Sequence, residues 1–158
     1  MKHAIQKGVG FGLTSGVITT LGLMIGLYAG TNSLYVIMGG VISIAIADAC
    51  SDSLGIHISE EVDNQKTQRE VWIATIATFL TKFFFALTFL IPLSFFALKM
   101  AIIVNILWGV FLLGLFSYYI ACERKTSPWH IIFEHLFIMF LVIAITYFVG
   151  ITIAGMVR

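Results

Sequence analysis

Residues 100–121 read MAIIVNILWGVFLLGLFSYYIA, without one Asp, Glu, Lys, Arg or His. A bilayer core is crossed by about 20 consecutive apolar residues in a helix, and this run has that length and that composition. Working outward, four more runs have the same character. The spans read from sequence cover roughly 8–28, 34–56, 71–93, 100–121 and 129–155. Short turns separate them, such as Gly30-Thr31-Asn32-Ser33 and the stretch around Lys99, and a polar segment, 57–70, follows the second. The expectation is an all-α membrane protein: one transmembrane domain, 1–158, with five helices in a lipid bilayer.

Composition agrees. The chain is 59% hydrophobic and 11% charged, with a mean hydropathy of +1.02, whereas a soluble domain carries about 25% charged residues. Five spans take up most of the chain, so no separate catalytic domain is expected. The formal net charge is +1 and no basic stripe occurs, so no nucleic-acid partner is expected. Cys50 and Cys122 lack CxxC spacing, so neither a disulfide framework nor a zinc knuckle is indicated. No nucleotide-binding loop, HExxH or nucleophile motif is present, so the chain reads as no enzyme, with no cofactor. Lys2 and Lys7 before an apolar run resemble a signal peptide, but the run is long and further spans follow, so it reads as a retained first span.

Lys and Arg distribution sets the expected orientation. Lys2, Lys7, Lys66, Arg69, Arg124 and Lys125 fall on one side, and only Lys99 and Arg158 on the other. The N-terminus and loop 57–70 are therefore expected to be cytoplasmic. The compact, Ile- and Phe-rich chain suits a prokaryotic cytoplasmic membrane.

Ionisable side chains inside a span are costly and are functional candidates. Here they are Asp48, Asp52, Lys82, Glu134 and His135. Asp48 and Asp52, four apart, share a helix face. Their repulsion is relieved by a shared proton, by a bound hard cation, or by water and a basic partner at an interface. Lys82 can pair with either aspartate or with a second subunit, or snorkel. His57, Glu60 and Glu61 follow at metal-ligand spacing, which also fits a solvated helix end. Glu134 and His135 either face the membrane surface or assist proton movement. Span one carries Gly12/Gly16 and Gly22/Gly26/Gly30, small-xxx-small spacing that serves either internal packing or a dimer seam.

The order of these features resembles the vacuolar iron transporter family over almost the full length. The family's FGxxDGLVSTFGLVxG pattern is similar to Phe11–Gly26 here, and its GxxSMAxGEYVS to Gly40–Ser51. Arg69-Glu70 opens span three, Leu90-Ile91-Pro92-Leu93 closes it, and Ala144–Gly150 resembles AAxTYxIG. The resemblance implies a homodimer through spans one and two, with the ion path between subunits and proton-coupled export of Fe²⁺ or Mn²⁺ from the cytosol. The family's span-one aspartate falls on Ser15, its span-two methionine on Ile44, its glutamate on Asp48 and its tyrosine on Ala49. The long cytoplasmic metal-binding helices of plant members are absent. The expected transport site is Asp48, Asp52 and Ser15, with His57, Glu60 and Glu61 as outlying metal ligands. Losing the thioether makes that site harder and less selective for Fe²⁺. The alternative is a transport-inactive relative that serves as a membrane scaffold or partner subunit.

Overall fold

The computed structural model describes residues 1–63 and 65–156, and every regular element in it is a helix. They are α1 (Lys2–Thr31), α2 (Leu34–Glu61), α3 (Gln68–Thr88), the short α4 (Leu90–Phe95), α5 (Leu98–Arg124) and α6 (Pro128–Met156). With α3 and α4 taken as one broken helix, five helices are long and apolar enough to cross a membrane. That marks an integral membrane protein. Arg158, placed by sequence opposite the N-terminus, lies outside the described residues.

The helices run past the apolar runs that announced them. α1 has 30 residues, about 45 Å at 1.5 Å per residue, against a hydrocarbon core of about 30 Å. Local chemistry sets the ends. Asn32 stops α1 in the left-handed conformation at φ 48°, its N–H donating to Tyr28 O at 3.0 Å. Lys125 stops α5 the same way at φ 53°. Thr67 opens α3 with a capping box: its hydroxyl accepts from Glu70 N–H, and the Glu70 carboxylate accepts from Thr67 N–H. Such reciprocal caps satisfy two otherwise orphaned donors.

Span three, read as 71–93, is broken within its length: α3 ends at Thr88, and α4 carries the span on from Leu90 to Phe95. Pro92 explains the position. It has no N–H for the carbonyl of Thr88 four residues back, and its ring clashes with that carbonyl. Asn105 of α5, fully buried, donates from Nδ2 to Phe89 O at 3.1 Å and also approaches Met24 Sδ. Trp108 Nε1 donates to Thr88 Oγ1 at 2.9 Å.

α1 is the central helix. Within the apolar window of each helix, 56% of residues are buried in α1 and 11% in α6. Two glycine rows account for this. Gly8, Gly12 and Gly16 lie on α3; a Cβ on Gly12 would come within 2.7 Å of Thr78 O. Gly22, Gly26 and Gly30 lie on α6; a Cβ on Gly22 would come within 2.8 Å of Val142 Cγ1. Both rows of span one are thus used for packing inside the protomer. The core above and below them is aliphatic, with Val17, Leu21, Met24, Ile37, Val41, Leu113 and Met139 fully buried.

α2 is different. Gly39, Ser43, Ala47, Ser51 and Gly55 repeat every fourth residue along its length, and all are exposed. A Cβ on Gly39 or Gly55 would meet nothing within 4 Å.

Candidate functional site

Four side chains meet where three helices pack together: Ser15 of α1, Asp48 and Asp52 of α2, and Lys82 of α3. Lys82 is 1% exposed. It reaches this place because Gly16 has no side chain: a Cβ there would lie 3.2 Å from Lys82 Cγ. The lysine stem therefore lies across the α1 backbone, and its ammonium emerges beside Ser15.

The ammonium makes two hydrogen bonds, to Ser15 and Asp52, and one further ion pair, to Asp48, whose Oδ2 accepts no hydrogen bond among the described residues. Lys82 Nζ pairs with Asp48 Oδ2 at 2.6 Å and with Asp52 Oδ2, and donates to Ser15 Oγ at 2.8 Å. Ser15 Oγ in turn donates to Asp52 Oδ2 at 2.7 Å. Ser15, Asp52 and Lys82 thus close a ring, with Asp48 attached at the ammonium. Of the partners the sequence left open for Lys82, the fold supplies both aspartates at once.

Two features remain after this pairing. With both carboxyls ionised, two negative charges face one positive charge, so the cluster is one positive charge short. The second oxygen of each carboxyl, Oδ1, takes no protein donor among the described residues. The Asp48 and Asp52 side chains are 25% and 21% exposed, so they open to the surface of α2 rather than to the core.

The other expected ligands go elsewhere. Glu60, whose side chain is 2% exposed, is ion-paired to Lys7 of α1, with Lys66 at 3.9 Å. Its carboxylate joins α1 to the α2–α3 connection. His57 lies against the edge of Trp72, its Nδ1 3.0 Å from Thr75 Oγ1. Thr75 spends its own proton on Val71 O at 2.8 Å, so its oxygen is left to accept from the His57 ring. Glu61 is exposed. Among the described residues, no group of three or more His, Cys, Asp or Glu side chains is placed to hold one metal ion. His135 is a twin of His57: Nδ1 lies 2.8 Å from Ser117 Oγ, which donates to Leu113 O at 2.6 Å. Glu134 is exposed, and Cys50 and Cys122 are free and exposed.

The lysine-centred cluster is polar chemistry in a setting where it is expensive. Removing one member of a buried ion pair costs about 3–5 kcal/mol, so the arrangement is strongly self-specifying. Chemically it can hold a proton, exchange the ammonium for another cation, or lock three helices together. No protein-family model, curated protein or solved structure matches this chain.

Proposed function

We propose that the chain is a proton-coupled transporter of a divalent cation, Fe²⁺ or Mn²⁺, with Asp48, Asp52 and Ser15 as the ion site and Lys82 as its resident counter-charge. The observation that carries the reading is the imbalance: two partly exposed carboxylates, each with an Oδ1 that takes no protein donor among the described residues, against one ammonium. An incoming M²⁺ binds through Oδ1, and Ser15 can add a neutral oxygen. Hard oxygen donors suit Mn²⁺ and Mg²⁺ at least as well as Fe²⁺. The cation repels the adjacent ammonium, which releases one proton and becomes a neutral amine. The site passes from net −1 to net zero, one M²⁺ entering for one H⁺ leaving. When the cation departs, Lys82 takes a proton back and re-forms the ring.

The order of motifs resembling the vacuolar iron transporters supports the cargo class. It also supports export from the cytosol and a homodimer through spans one and two, while the compact, Ile- and Phe-rich chain supports a prokaryotic cytoplasmic membrane as the setting. α1 spends its glycine rows internally, so the outer face of α2 is the surface proposed to make the dimer. That face lies beside Asp48 and Asp52, and a second copy would bring the carboxylates at the seam to four.

The test is flux into proteoliposomes carrying a metal-quenched dye and a pH dye, with Fe²⁺, Mn²⁺, Co²⁺, Zn²⁺ and Mg²⁺ supplied in turn. Metal entry with opposite proton movement, abolished in Asp48→Asn, is the expected result. One observation favours a second reading, a transport-inactive scaffold or partner subunit: the Lys82 ammonium is already held by Ser15 and both aspartates, as in a structural lock. No flux of any ion from well-folded protein selects that reading.

A further inference from the structure

At the end of the bundle that carries the N-terminus, α1 and α5 part, and a furrow of about 650 Å³ opens between them. Its floor is apolar: Val9 and Gly10 from α1, Phe116 and Ile120 from α5. Gly10 helps keep it open, since a Cβ there would come within 3.2 Å of Phe116 Cζ. Its mouth is polar, formed by His3, Gln6, Lys7, Glu123 and Arg124, with Tyr119 between mouth and floor.

The charges at the mouth are unevenly spent. The one carboxylate, Glu123, accepts from Gln6 Nε2, whose amide also reaches Tyr119 Oη at 3.4 Å. Lys7 pairs with Glu60 but keeps half of its side chain exposed. Arg124 and His3 are exposed and take no hydrogen bond or ion pair among the described residues. Lys2 and Lys125 are their chain neighbours, so the mouth is net positive with an uncommitted guanidinium. The fork of an arginine matches phosphate oxygens in pairs. The aromatic pair Phe116 and Tyr119, with centroids 6.2 Å apart, stands at the polar–apolar boundary, where membrane proteins place aromatic rings.

An apolar floor under a cationic mouth, at the end of a membrane-spanning bundle, fits an amphiphile and not a free anion alone. Basic pockets between transmembrane helices are suited to anionic head groups. We infer that this furrow binds an anionic phospholipid of the adjacent leaflet. Its phosphate sits at Arg124, with Lys7 and His3 alongside, and an acyl chain lies over Gly10 between Phe116 and Ile120. The site shares no residue with the Ser15–Asp48–Asp52–Lys82 cluster and does not depend on what that cluster transports.

The test uses the full chain in detergent, titrated with dioleoyl phosphatidylglycerol, dioleoyl phosphatidylcholine or inorganic phosphate. Retained lipid is read by native mass spectrometry and stability by thermal unfolding. Retention of phosphatidylglycerol over phosphatidylcholine, with a rise in Tm that phosphate does not reproduce, is expected. Arg124→Gln should weaken that retention about fivefold, the worth of one basic residue at a membrane surface. Gly10→Leu should weaken it without changing charge. Should Gly10→Leu fail to fold, the exposed Arg124→Gln carries the test alone. Equal retention of both lipids, or phosphatidylglycerol retention indifferent to Arg124→Gln, overturns the proposal. A Tm rise from inorganic phosphate equal to that from phosphatidylglycerol overturns it in favour of a free-anion site.

Discussion

Lys82 is the residue on which the interior depends, and its variants separate stability from transport. Lys82→Met removes the only cation from a site with two aspartates and leaves Ser15 facing them alone. It is expected to cost about 3 kcal/mol, the low end for stripping one partner from a buried pair, because the aspartates are partly exposed. Asp48→Asn leaves Lys82 balanced against Asp52, still bonded to Ser15. Its thermal unfolding in detergent should therefore stay near that of the wild type while flux is lost. A melting point lowered as far by Asp48→Asn as by Lys82→Met would sink the idea that the cluster is one positive charge short. The candidate acids were legible in the sequence because charge inside an apolar run stands out. The partner of Lys82 was not, since spacing along one helix says nothing about which side chain a neighbouring helix delivers. Asn105 was missed for a related reason: it is uncharged, and its use became visible only once Pro92 had freed the backbone near Phe89.

At the scale of the element, the same residue type does opposite things on different helices. A Cβ on Gly150 would run into Gly26 O, with Ala29 Cβ at 2.9 Å and Gly30 N at 3.0 Å. Backbone cannot yield as a side-chain tip can. Gly150→Ala is therefore expected to destabilise by about 1–3 kcal/mol, as overpacking does, and to loosen α1 from α6. Gly39→Ala, with open space around it, should leave protomer stability unchanged or raise it by up to about 1 kcal/mol through helix propensity. Thermal melts of the two variants side by side check the pair, and equal effects would contradict the packing. Thr67→Ala should cost about 1 kcal/mol by opening the α3 capping box. Five spans were legible because lipid demands apolar length. Their true ends were only partly so: the turn holding Asn32 was read from sequence, but α1 begins as early as Lys2 and α5 runs on to stop on left-handed Lys125, a residue with no strong stop signal. The glycine rows were legible as helix contacts, but the choice between a seam and internal packing needed the positions of α3 and α6.

At the scale of the whole molecule, the outer face of α2 has no partner within the described residues, and there the proposed homodimer can be tested without touching the ion site. The outward row Gly39, Ser43, Ala47, Ser51 and Gly55 drifts about 40° per step around α2, since four residues turn 400° at 3.6 per turn. Two such rows meet best in a right-handed crossing, the geometry small-xxx-small motifs favour in lipid. Cys50 lies within this face and is free and exposed; Cys122, also free, sits at the far end of α5. In a dimer seamed on α2, the two Cys50 thiols approach each other while the two Cys122 thiols lie at the periphery. Mild copper-catalysed oxidation in membranes should then give a disulfide-linked dimer that survives in Cys122→Ser and vanishes in Cys50→Ser. Ala47→Leu, which puts a branched side chain at the middle of the row but touches no buried contact of the protomer, should abolish the cross-link without lowering the monomer's melting point. A cross-link through Cys122 alone would move the interface to α5. If no cross-link forms with either thiol in well-folded protein, the carboxylate pair belongs to a single subunit, and any ion that binds there must be satisfied by Asp48, Asp52 and Ser15 of one chain.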